Sequence, residues 1–423
     1  MSIPIHPFVV REGSERQGDI KHVAKSIMQG AWADHPSDDI VVTTIGGGIT
    51  NLLFKLQGPT GEAAVLVRIY GEDTDVLIDR DRDNALFDEL ARMGYAPPFH
   101  GRFTNGRIEG FLPARALEPR EMSERSPVDF VSLIAREMAR LHGLPVTKAG
   151  PAGEAEIWQV LPKWLQLAKG LTFEDEARAA AVKALDLDWI CSEVEWLSQQ
   201  LCAEARSSES GTSTPNDGPS AQETAKAKKF LSEVVLCHND LLSGNVLHAE
   251  GWDRVQVIDF EYSGYNPRAF DIANHFCEHA GFDSNFEKSY PKAETQVDFL
   301  KAYVRAARMP TYSACAAADV ADGENGKAEE GGGESAIQSP HTDEEAFFEA
   351  LRTEVNRWAL PSHLWWSAWA VVQARYSPID FDFVDYARLR LAGYRLHKAA
   401  YFGFEEEKPS EEESFEFKGQ KPS

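Results

Sequence analysis

The chain has 423 residues, of which 67 are acidic and 43 basic, so its formal net charge is −24. Hydrophobic residues make up 43% and charged residues 26% of the sequence, which is typical of a globular protein and excludes a largely disordered one. Because an acidic surface repels phosphate backbones and anionic headgroups, we expect no nucleic acid and no membrane surface as the main partner.

The first part of the chain has the patterns of a small β-rich unit. Residues 41–44 and 51–57 flank a run of glycines and predict a β-hairpin, and the apolar, β-branched residues 63–70 predict a third strand. Residues 85–93 predict a helix that ends before a glycine and a Pro-Pro pair. Residues 107–112 predict a further strand, which leads to a proline.

The remainder of the chain predicts helices around two short strands. Residues 128–141 have apolar side chains at helical spacing, and residues 347–402 are helical in pattern and rich in aromatic side chains. Two short apolar runs, residues 234–237 and 255–258, each lead into a segment that contains aspartate. A small β-rich front and a larger helical back indicate an α+β fold with two lobes.

Three low-complexity segments accompany the predicted lobes, an N-terminal lobe of residues 1–110 and a C-terminal lobe of residues 111–404. Residues 206–228 predict a long loop, since they are rich in Ser, Thr, Pro and Gly. Residues 316–346 and the tail, residues 405–423, predict disorder because they lack apolar periodicity. These two segments have net charges of −8 and −4, so they supply half of the excess negative charge.

The strongest chemical signal is the pattern H-x-D-x-x-x-x-N at residues 238–245, followed by D-F-E at residues 259–261. Phosphoryl transfer from ATP needs a carboxylate that orients or deprotonates the attacking hydroxyl, and oxygen ligands that hold Mg²⁺ against the phosphates. Asp240, Asn245 and Asp259 have the types and spacing that kinases use. Such short motifs also arise by chance, but the apolar run before each aspartate favours the functional interpretation.

The glycine run Gly46, Gly47 and Gly48 lies between two predicted strands, where backbone amides can approach phosphates closely. An ordinary hairpin turn is the alternative. The segment is neither a P-loop, since it lacks GK[ST], nor a dinucleotide fingerprint, since Asn51 stands where the last glycine should be.

Arg68 lies on the next predicted strand, where a protein kinase has the lysine that pairs with the phosphates. A guanidinium can bind phosphate oxygens bidentately, so the exchange is chemically workable. A surface arginine is the alternative. We expect its acidic partner to be Asp81 or Asp83, and the spacing does not choose between them.

At this level of detail the sequence resembles the choline/ethanolamine kinase family, which has a protein-kinase-like fold. The matching strings run from about residue 41 to 400, interrupted by the low-complexity segments, and are GGITNLLFKL, VLVRIYG, EGFLPARALEP, HNDLLSGNVL, IDFEYSGYNPRAFDIANHFCEHAG and SHLWWSAWAVVQARYSPIDFDFVDYA. The HNDLL string and IDFDF resemble the ethanolamine branch more than the choline branch. The resemblance implies an ATP-dependent kinase that phosphorylates ethanolamine, as the first step toward phosphatidylethanolamine.

The resemblance also implies roles for single residues. In the N-terminal lobe, Arg68 and the amides of the glycine-rich hairpin would hold the ATP phosphates, and the backbone near Glu109 and Phe111 would meet adenine. Asp240 would be the catalytic base that binds the substrate hydroxyl, and Asn245 and Asp259 would ligate Mg²⁺. The implied hairpin residues are Gly46, Gly47, Gly48, Thr50 and Asn51. The residues that would enclose the substrate's ammonium group are Asp240, Tyr262, Glu278, Trp366, Trp369 and Tyr386.

Aromatic faces and a nearby carboxylate suit a cation, since each such contact contributes roughly 0.5–2 kcal/mol. The spacing of Trp365, Trp366 and Trp369 also fits a helix face packed in the core, and we expect Trp365 to be a core residue. Asp271 and His238 are expected to anchor the catalytic loop by hydrogen bonds, because buried polar groups need partners.

Three other functions compete with ethanolamine phosphorylation. A choline kinase or a dual choline/ethanolamine kinase would use the same aromatic residues. An aminoglycoside-type phosphotransferase shares the core motif but lacks the FEYSGYN and W-x-x-W strings. An inactive kinase-fold scaffold would not need Asp240, Asn245 and Asp259 together.

The expected compartment is the cytoplasm. Five cysteines without a C-x-x-C pair are too few and too scattered for a disulfide framework, and the first residues lack a secretory pattern. The most apolar stretch, residues 360–373, is shorter than the roughly 18 residues that span a bilayer, so no stable membrane insertion is expected. Some members of the resembled family form dimers, so a homodimer is possible on that ground alone.

Overall fold

The computed structural model describes residues 3–46, 51–59, 61–71, 73–209, 219–307 and 340–404. The predicted site residues Gly47, Gly48 and Thr50 lie outside these ranges. So do most of the acidic segment 316–346 and the tail, whose predicted disorder stays a prediction.

Short strands form three sheets. In the largest sheet the strand order is β1-β5-β6-β4-β3-β2, and the two smaller sheets have the orders β10-β9-β7 and β11-β8. The strands in chain order are β1 (Ile5–His6), β2 (Val41–Ile45), β3 (Asn51–Gln57), β4 (Val65–Tyr70), β5 (Phe99–Phe103), β6 (Gly106–Gly110), β7 (Arg115–Ala116), β8 (Val234–Cys237), β9 (Val246–His248), β10 (Gln256–Val257) and β11 (Gly264–Pro267).

Helices make up most of the chain after β6. In chain order they are α1 (Arg16–Met28), α2 (Ala31–Asp34), α3 (Arg80–Arg92), α4 (Phe130–His142), α5 (Ile157–Gly170), α6 (Glu176–Ala184), α7 (Leu187–Glu209), α8 (Pro219–Leu231), α9 (Arg268–Glu278), α10 (Phe286–Ser289), α11 (Ala293–Ala306), α12 (Pro340–Arg357), α13 (Ala359–Tyr376) and α14 (Phe383–Phe402). This bilobed α+β architecture is the predicted one.

The six-stranded sheet has one apolar and one polar face, because successive side chains of a strand point to opposite sides. On β4, Val65, Val67 and Ile69 pack into a core that also contains Ile20 and Val23 of α1. The other face carries Arg68, which lies opposite Leu53 of β3 and Arg107 of β6. The sheet therefore presents its charged face toward the helical lobe.

The C-terminal lobe is built around the helix α13. Every residue of α13 from Ala359 to Ala374 is buried, and the helix packs most extensively against α14. Trp365 is 3% exposed and its ring lies 4.3 Å from that of Trp164, so the prediction that it is a core residue is confirmed. Among the described helices, none is long and apolar enough to cross a membrane.

Three predicted element boundaries were wrong. Helix α3 begins at Arg80 rather than residue 85, because the Asp79 side chain caps it by accepting hydrogen bonds from the amides of Asp81 and Arg82. The predicted loop 206–228 contains the first turns of α8, whose Pro219 suits the first helical position. Residues 340–346 of the predicted acidic disorder belong to α12.

Candidate active site

A cavity of about 830 Å³ lies between the sheet and the helical lobe. Most of the predicted site residues border it, although they come from all parts of the sequence. The predicted site residues at this cavity are Asn51, Arg68, Asp240, Asn245, Asp259, Tyr262, Glu278, Trp366, Trp369 and Tyr386. Gly46 follows β2 in the predicted hairpin, whose strands pair from Val41 with Gln57 to Ile45 with Leu53.

Two loops that follow short strands carry the polar groups of the cavity floor. The loop after β8 contains Asp240 and Asn245, and the segment after β10 contains Asp259. Asn245 donates from its amide nitrogen to the backbone oxygen and to Oδ2 of Asp240, at 2.8 and 3.1 Å. The Ile258 amide donates to the Asn245 carbonyl at 3.0 Å, so the two loops are joined directly.

Asp271 of α9 holds the loop that carries Asp240. Its two carboxylate oxygens accept hydrogen bonds from the backbone amides of His238 and Asn239, at 2.8 and 2.7 Å. His142 contacts the same carboxylate at 2.9 Å. Burial alone would raise the pKa of Asp271, but the hydrogen bond and charge of His142 hold it below its ordinary value.

The loop backbone needs this support because of its conformation. Asn239 has a φ of 64°, a left-handed conformation that asparagine tolerates better than most residues. His238 is buried and neutral, with a lowered pKa, and contacts the Ile258 carbonyl at 3.0 Å. Its Nδ1 accepts from the amide of Asp240 at 3.3 Å. These contacts fit the anchoring roles that the sequence suggests for Asp271 and His238.

Asp271→Asn is expected to lower the free energy of unfolding by about 2–4 kcal/mol, since each buried amide left without an acceptor costs about 1–3 kcal/mol. An asparagine can accept at only one of the two positions, and its NH₂ group would face a backbone N–H. Chemical denaturation measures the change.

Asp298→Asn is the matched control, because Asp298 forms an exposed ion pair with Arg125 and such pairs contribute about 0–1 kcal/mol. Equal losses in the two variants would contradict the anchoring role of Asp271.

Asp240 lies among other carboxylates. It is 9% exposed, and burial is the largest reason that its pKa lies well above the ordinary value, followed by the charges of Glu278, Asp259 and Glu261. The hydrogen bond from Asn245 opposes this shift. A cation bound between these groups would offset their repulsion, so the electrostatics favour a positively charged ligand.

Arg68 forms ion pairs with Glu109 and Asp259 rather than with the predicted Asp81 or Asp83. Its Nε donates to Glu109 at 3.0 Å, and its Nη1 lies 3.2 Å from both oxygens of Asp259. Glu109 lies on the adjacent strand β6, opposite Leu66, so it reaches Arg68 diagonally on the same face.

The two carboxylates of α3 are paired with other arginines. Asp83 contacts Arg107 at 2.8 Å, and Asp81 contacts Arg102 at 2.7 Å. The spacing along the chain could not show this, because the pairing depends on which strand lies beside β4. Asp259, the other partner of Arg68, has a pKa raised to about 6. Loss of contact with water is the largest cause, and the charge of Arg68 opposes the shift.

Glu109 and Phe111 lie away from the main cavity. The Glu109 carboxylate is 3% exposed and also accepts from Arg107 at 2.7 Å. Phe111 borders a second cavity, of about 750 Å³, where Lys55 lies 4.5 Å from the centre of its ring. The Phe111 amide already donates to the carbonyl of Ala64 at 3.1 Å, so an adenine base near it would use other backbone atoms.

A second link between the lobes involves Glu261, the last residue of the D-F-E motif. Its Oε2 accepts from Asn51 at 3.0 Å and from Arg80 at 2.9 Å. Arg80 also stacks on the Tyr70 ring at 4.3 Å. The signal that could have indicated this link is the acidic residue where protein kinases have glycine.

Aromatic rings form one wall of the cavity. The Tyr262 and Trp366 rings lie 5.5 Å apart, the Trp366 and Trp369 rings 5.4 Å apart, and the Trp369 and Tyr386 rings 6.4 Å apart, with interplanar angles of 76–80°. Trp369 donates from Nε1 to the Tyr262 hydroxyl at 2.8 Å, which holds both rings in place. This wall can bind a cation or an apolar group.

Glu278, at the end of α9, places a carboxylate beside this wall. Its Oε1 accepts from Nη1 of Arg390 at 2.9 Å, and both side chains are almost fully buried. Burial raises the pKa of Glu278, and Arg390 opposes the shift. Sequence reasoning missed Arg390, although its position one helical turn after Tyr386 on α14 could have indicated it.

The oxygen ligands of the floor suit Mg²⁺. Since the Asn245 amide nitrogen is used by Asp240, its Oδ1 is the atom that could bind a cation, together with the Asp259 carboxylate. Cys277, His363 and His397 form another buried group of potential metal ligands. Burial and the nearby Arg390 cation lower the pKa values of both histidines, and that cation also disfavours a metal ion there.

Comparison with known proteins agrees with this geometry. The family described as "Choline/ethanolamine kinase" matches residues 42–395. Relatives include a probable ethanolamine kinase of Nematostella vectensis, 32% identical over 84% of this chain and 86% of that protein, and probable choline kinase 2 of Arabidopsis thaliana, 31% identical over 92% and 95%.

A solved structure, Plasmodium vivax ethanolamine kinase, superposes with a TM-score of 0.67 at 25% identity and covers 93% of this chain and 92% of that one. The described fold and the match over most of the sequence lead to one conclusion: the chain belongs to the choline/ethanolamine kinase family.

Proposed function

We propose that this protein transfers the γ-phosphoryl group of ATP to the hydroxyl of ethanolamine and so forms phosphoethanolamine. The observation that carries the proposal is that Asp240 and Glu278 share one cavity with the rings of Trp366 and Trp369. A carboxylate for the hydroxyl and a separate site for a cation suit a small amino alcohol.

In this proposal Asp240 accepts the proton of the substrate hydroxyl as the oxygen attacks the γ-phosphorus. Its raised pKa makes it a stronger base than an ordinary aspartate, and the bound ammonium group keeps it ionised. The backbone around it stays in place through Asp271, so the carboxylate need not reorganise during the reaction.

Arg68 donates hydrogen bonds to the ATP phosphates, and the amides of the hairpin 46–51 approach the same group. Residues 1–110 therefore form the nucleotide-binding lobe in this proposal, and residues 111–404 form the catalytic and substrate-binding lobe. We place the adenine near the backbone of Glu109 and Phe111.

We propose Mg²⁺ as the metal, held by Asn245 and Asp259. When bound, it neutralises phosphate charge as the γ-phosphoryl group leaves. Asp259 must be ionised to hold a cation, so we expect metal affinity to fall as the pH drops through the region of its pKa of about 6.

The proposal also includes a cytoplasmic location and a homodimer. Among the described cysteines, Cys191, Cys237 and Cys277 form no disulfide, as suits a reducing compartment. Light scattering of the purified full chain tests the dimer.

Choline is the alternative substrate, because the aromatic wall would also hold a trimethylammonium group. A primary ammonium donates hydrogen bonds to Glu278 that trimethylammonium cannot make. A charge-assisted hydrogen bond contributes about 1.5–3 kcal/mol, so we expect kcat/KM to be about 10–100-fold higher for ethanolamine.

A competition assay with ethanolamine and choline at equal concentration, with Mg-ATP, measures this ratio. The Asp253→Asn variant, changed at an exposed carboxylate between β9 and β10, should give the same ratio as the wild type. A preference for choline would replace ethanolamine by the alternative substrate, and no turnover of either would leave a kinase-fold scaffold.

A further inference from the structure

One hydrogen-bonded chain connects the carboxylate of the ammonium subsite with the loop that carries Asp240. Arg390 donates from Nη1 to Glu278 at 2.9 Å and from Nη2 to the Ser362 hydroxyl at 2.8 Å. Ser362 donates to Oδ1 of Asn274 at 2.7 Å, and Asn274 donates to the Asn239 carbonyl at 3.1 Å. The chain thus runs from the subsite to the residue that precedes Asp240.

The same chain fixes the aromatic wall. Trp366 donates from Nε1 to Oδ1 of Asn274 at 2.8 Å, the atom that also accepts from Ser362. Arg390 also contacts the Tyr386 hydroxyl at 3.3 Å. Asn274 therefore orients Trp366 of the aromatic wall, whereas Arg390 chiefly orients the carboxylate of Glu278.

Arg390 holds one carboxylate oxygen of Glu278 and leaves the other available to a ligand in the cavity. Oε1 is used by Arg390, whereas Oε2 accepts no hydrogen bond from any residue in the described ranges, and the side chain borders the cavity. An ionised carboxylate oxygen with open lone pairs calls for a donor. The ammonium group of a substrate supplies one, and a trimethylammonium group does not.

The charge balance supports the same conclusion. The Arg390 guanidinium compensates the charge of Glu278, so the pair attracts a distant cation only weakly, while short hydrogen bonds to Oε2 keep their strength. A buried ion pair also adds little to the folding free energy, because apolar residues of similar volume stabilise a protein as well or better. Its place beside the substrate cavity points to specificity.

We infer that Arg390 is a specificity-determining positioning residue, which holds Glu278 ionised and directs its Oε2 to the N–H groups of a primary ammonium substrate. The inference rests on the proposed amino-alcohol phosphorylation and deepens it. Arg390 acts through Glu278 and does not itself contact the reacting atoms.

Arg390→Gln is expected to lower kcat/KM for ethanolamine by about 10–100-fold, mainly through a higher KM, and to change kcat/KM for choline by less than about threefold. Arg388→Gln is the matched control, since Arg388 lies on the same helix but pairs with Asp385 at 2.7 Å. Both parameters should stay close to those of the wild type in the control.

A double-mutant cycle separates positioning from general damage. Because Arg390 acts through Glu278, Glu278→Gln and Arg390→Gln together should cost no more than the larger of the two single changes. Arg390→Lys should recover part of the ethanolamine activity, since one of the two donor directions remains. Equal losses for ethanolamine and choline, or additive losses in the cycle, would overturn the inference.

If Arg390→Gln does not fold, Ser362→Ala provides the same test with a smaller change. It removes one of the two anchors of Arg390, and a neutral hydrogen bond corresponds to about a 2–10-fold selective loss for ethanolamine. An unchanged ratio in Ser362→Ala would then contradict the inference. A wild-type protein that phosphorylates neither substrate would instead contradict the proposed function, so the two failures are distinguishable.

Discussion

Asp240→Asn is expected to abolish most of the activity and at the same time to raise the thermal stability of the protein. Removal of a positioned general base costs about 10²–10⁴ in rate, so kcat should fall by at least that range. The asparagine has nearly the same shape and can still accept the hydrogen bond from Asn245. Stability should rise because a buried carboxylate among Glu278, Asp259 and Glu261 is replaced by a neutral group.

The sign of the stability change follows from the pKa of Asp240, which is raised in the folded protein. Above the unfolded pKa of about 3.9, the folded state holds a proton that the unfolded state has lost, so stability falls as the pH rises toward the folded pKa. The loss of folding stability caused by Asp240 is therefore complete above its folded pKa and absent below about pH 3.9. The advantage of Asp240→Asn should appear at neutral to alkaline pH and vanish in acid.

Thermal unfolding at several pH values and a coupled assay of ATP turnover measure the two effects. For a chain of 423 residues, each 1 kcal/mol of added stability corresponds to a Tm increase of about 1 °C. Asp253→Asn, at an exposed carboxylate, should change neither quantity. Normal turnover in Asp240→Asn would remove Asp240 from its role as base, and an unchanged Tm at alkaline pH would show that its carboxylate is less confined than the structure indicates.

Much of the site could be predicted from the sequence because its residues follow short apolar runs. The strands β8 and β10 were predictable from those runs, and each leads directly to a loop with a required carboxylate. The difference between Trp365 and its neighbours was also predictable, since residues one position apart on a helix point in different directions.

The ion-pair partners could not be predicted in the same way. Arg68 pairs with Glu109 because β6, rather than α3, lies beside β4, and strand order is a property of the whole sheet. Arg390 meets Glu278 because α14 and α9 pack against the same helix α13, although the two residues are 112 positions apart in sequence. Contacts between distant segments depend on packing, which local patterns do not record.

Two helices begin in segments whose sequence predicts a loop, residues 206–228, and disorder, residues 316–346, and they show a related limit. Pro219 and Pro340 each begin a helix, although proline and glycine nearby indicated irregular structure. These helices form because they pack against each other, with α8 and α12 in extensive contact. Tertiary packing stabilises helices whose composition alone is ambiguous.

Arg68→Met is expected to produce the second large effect, a loss of both stability and activity. Arg68 is 3% exposed and pairs with Glu109 and Asp259. Breaking a fully buried ion pair by removing one partner costs about 3–5 kcal/mol. The loss here should be smaller, because the Asp259 side chain is 23% exposed and water screens part of its charge. Glu109 keeps Arg107, at 2.7 Å, so Asp259 is the group that loses its compensating cation.

Activity should fall by about 10²–10³, as for the removal of a preorganised donor that stabilises charge in the transition state. Arg68→Lys should recover more activity than stability. An ammonium can still meet a phosphate as a point charge, but it cannot contact Glu109 and Asp259 in two directions as the guanidinium does. Denaturation and Mg-ATP turnover, measured on both variants, separate the two consequences.

Arg102→Met is the control, because Arg102 lies on the same sheet and is similarly buried but pairs with the exposed Asp81. It should lose less stability than Arg68→Met and keep its KM for ATP. Metal affinity gives the decisive measurement. Without Arg68 the pKa of Asp259 should rise further, since the guanidinium holds it down, so the increase in the Mg²⁺ requirement from pH 8 to pH 6 should be larger in Arg68→Met than in the wild type. An equal increase in the variant and the wild type would show that Arg68 serves the phosphates alone and does not tune the metal-binding carboxylate.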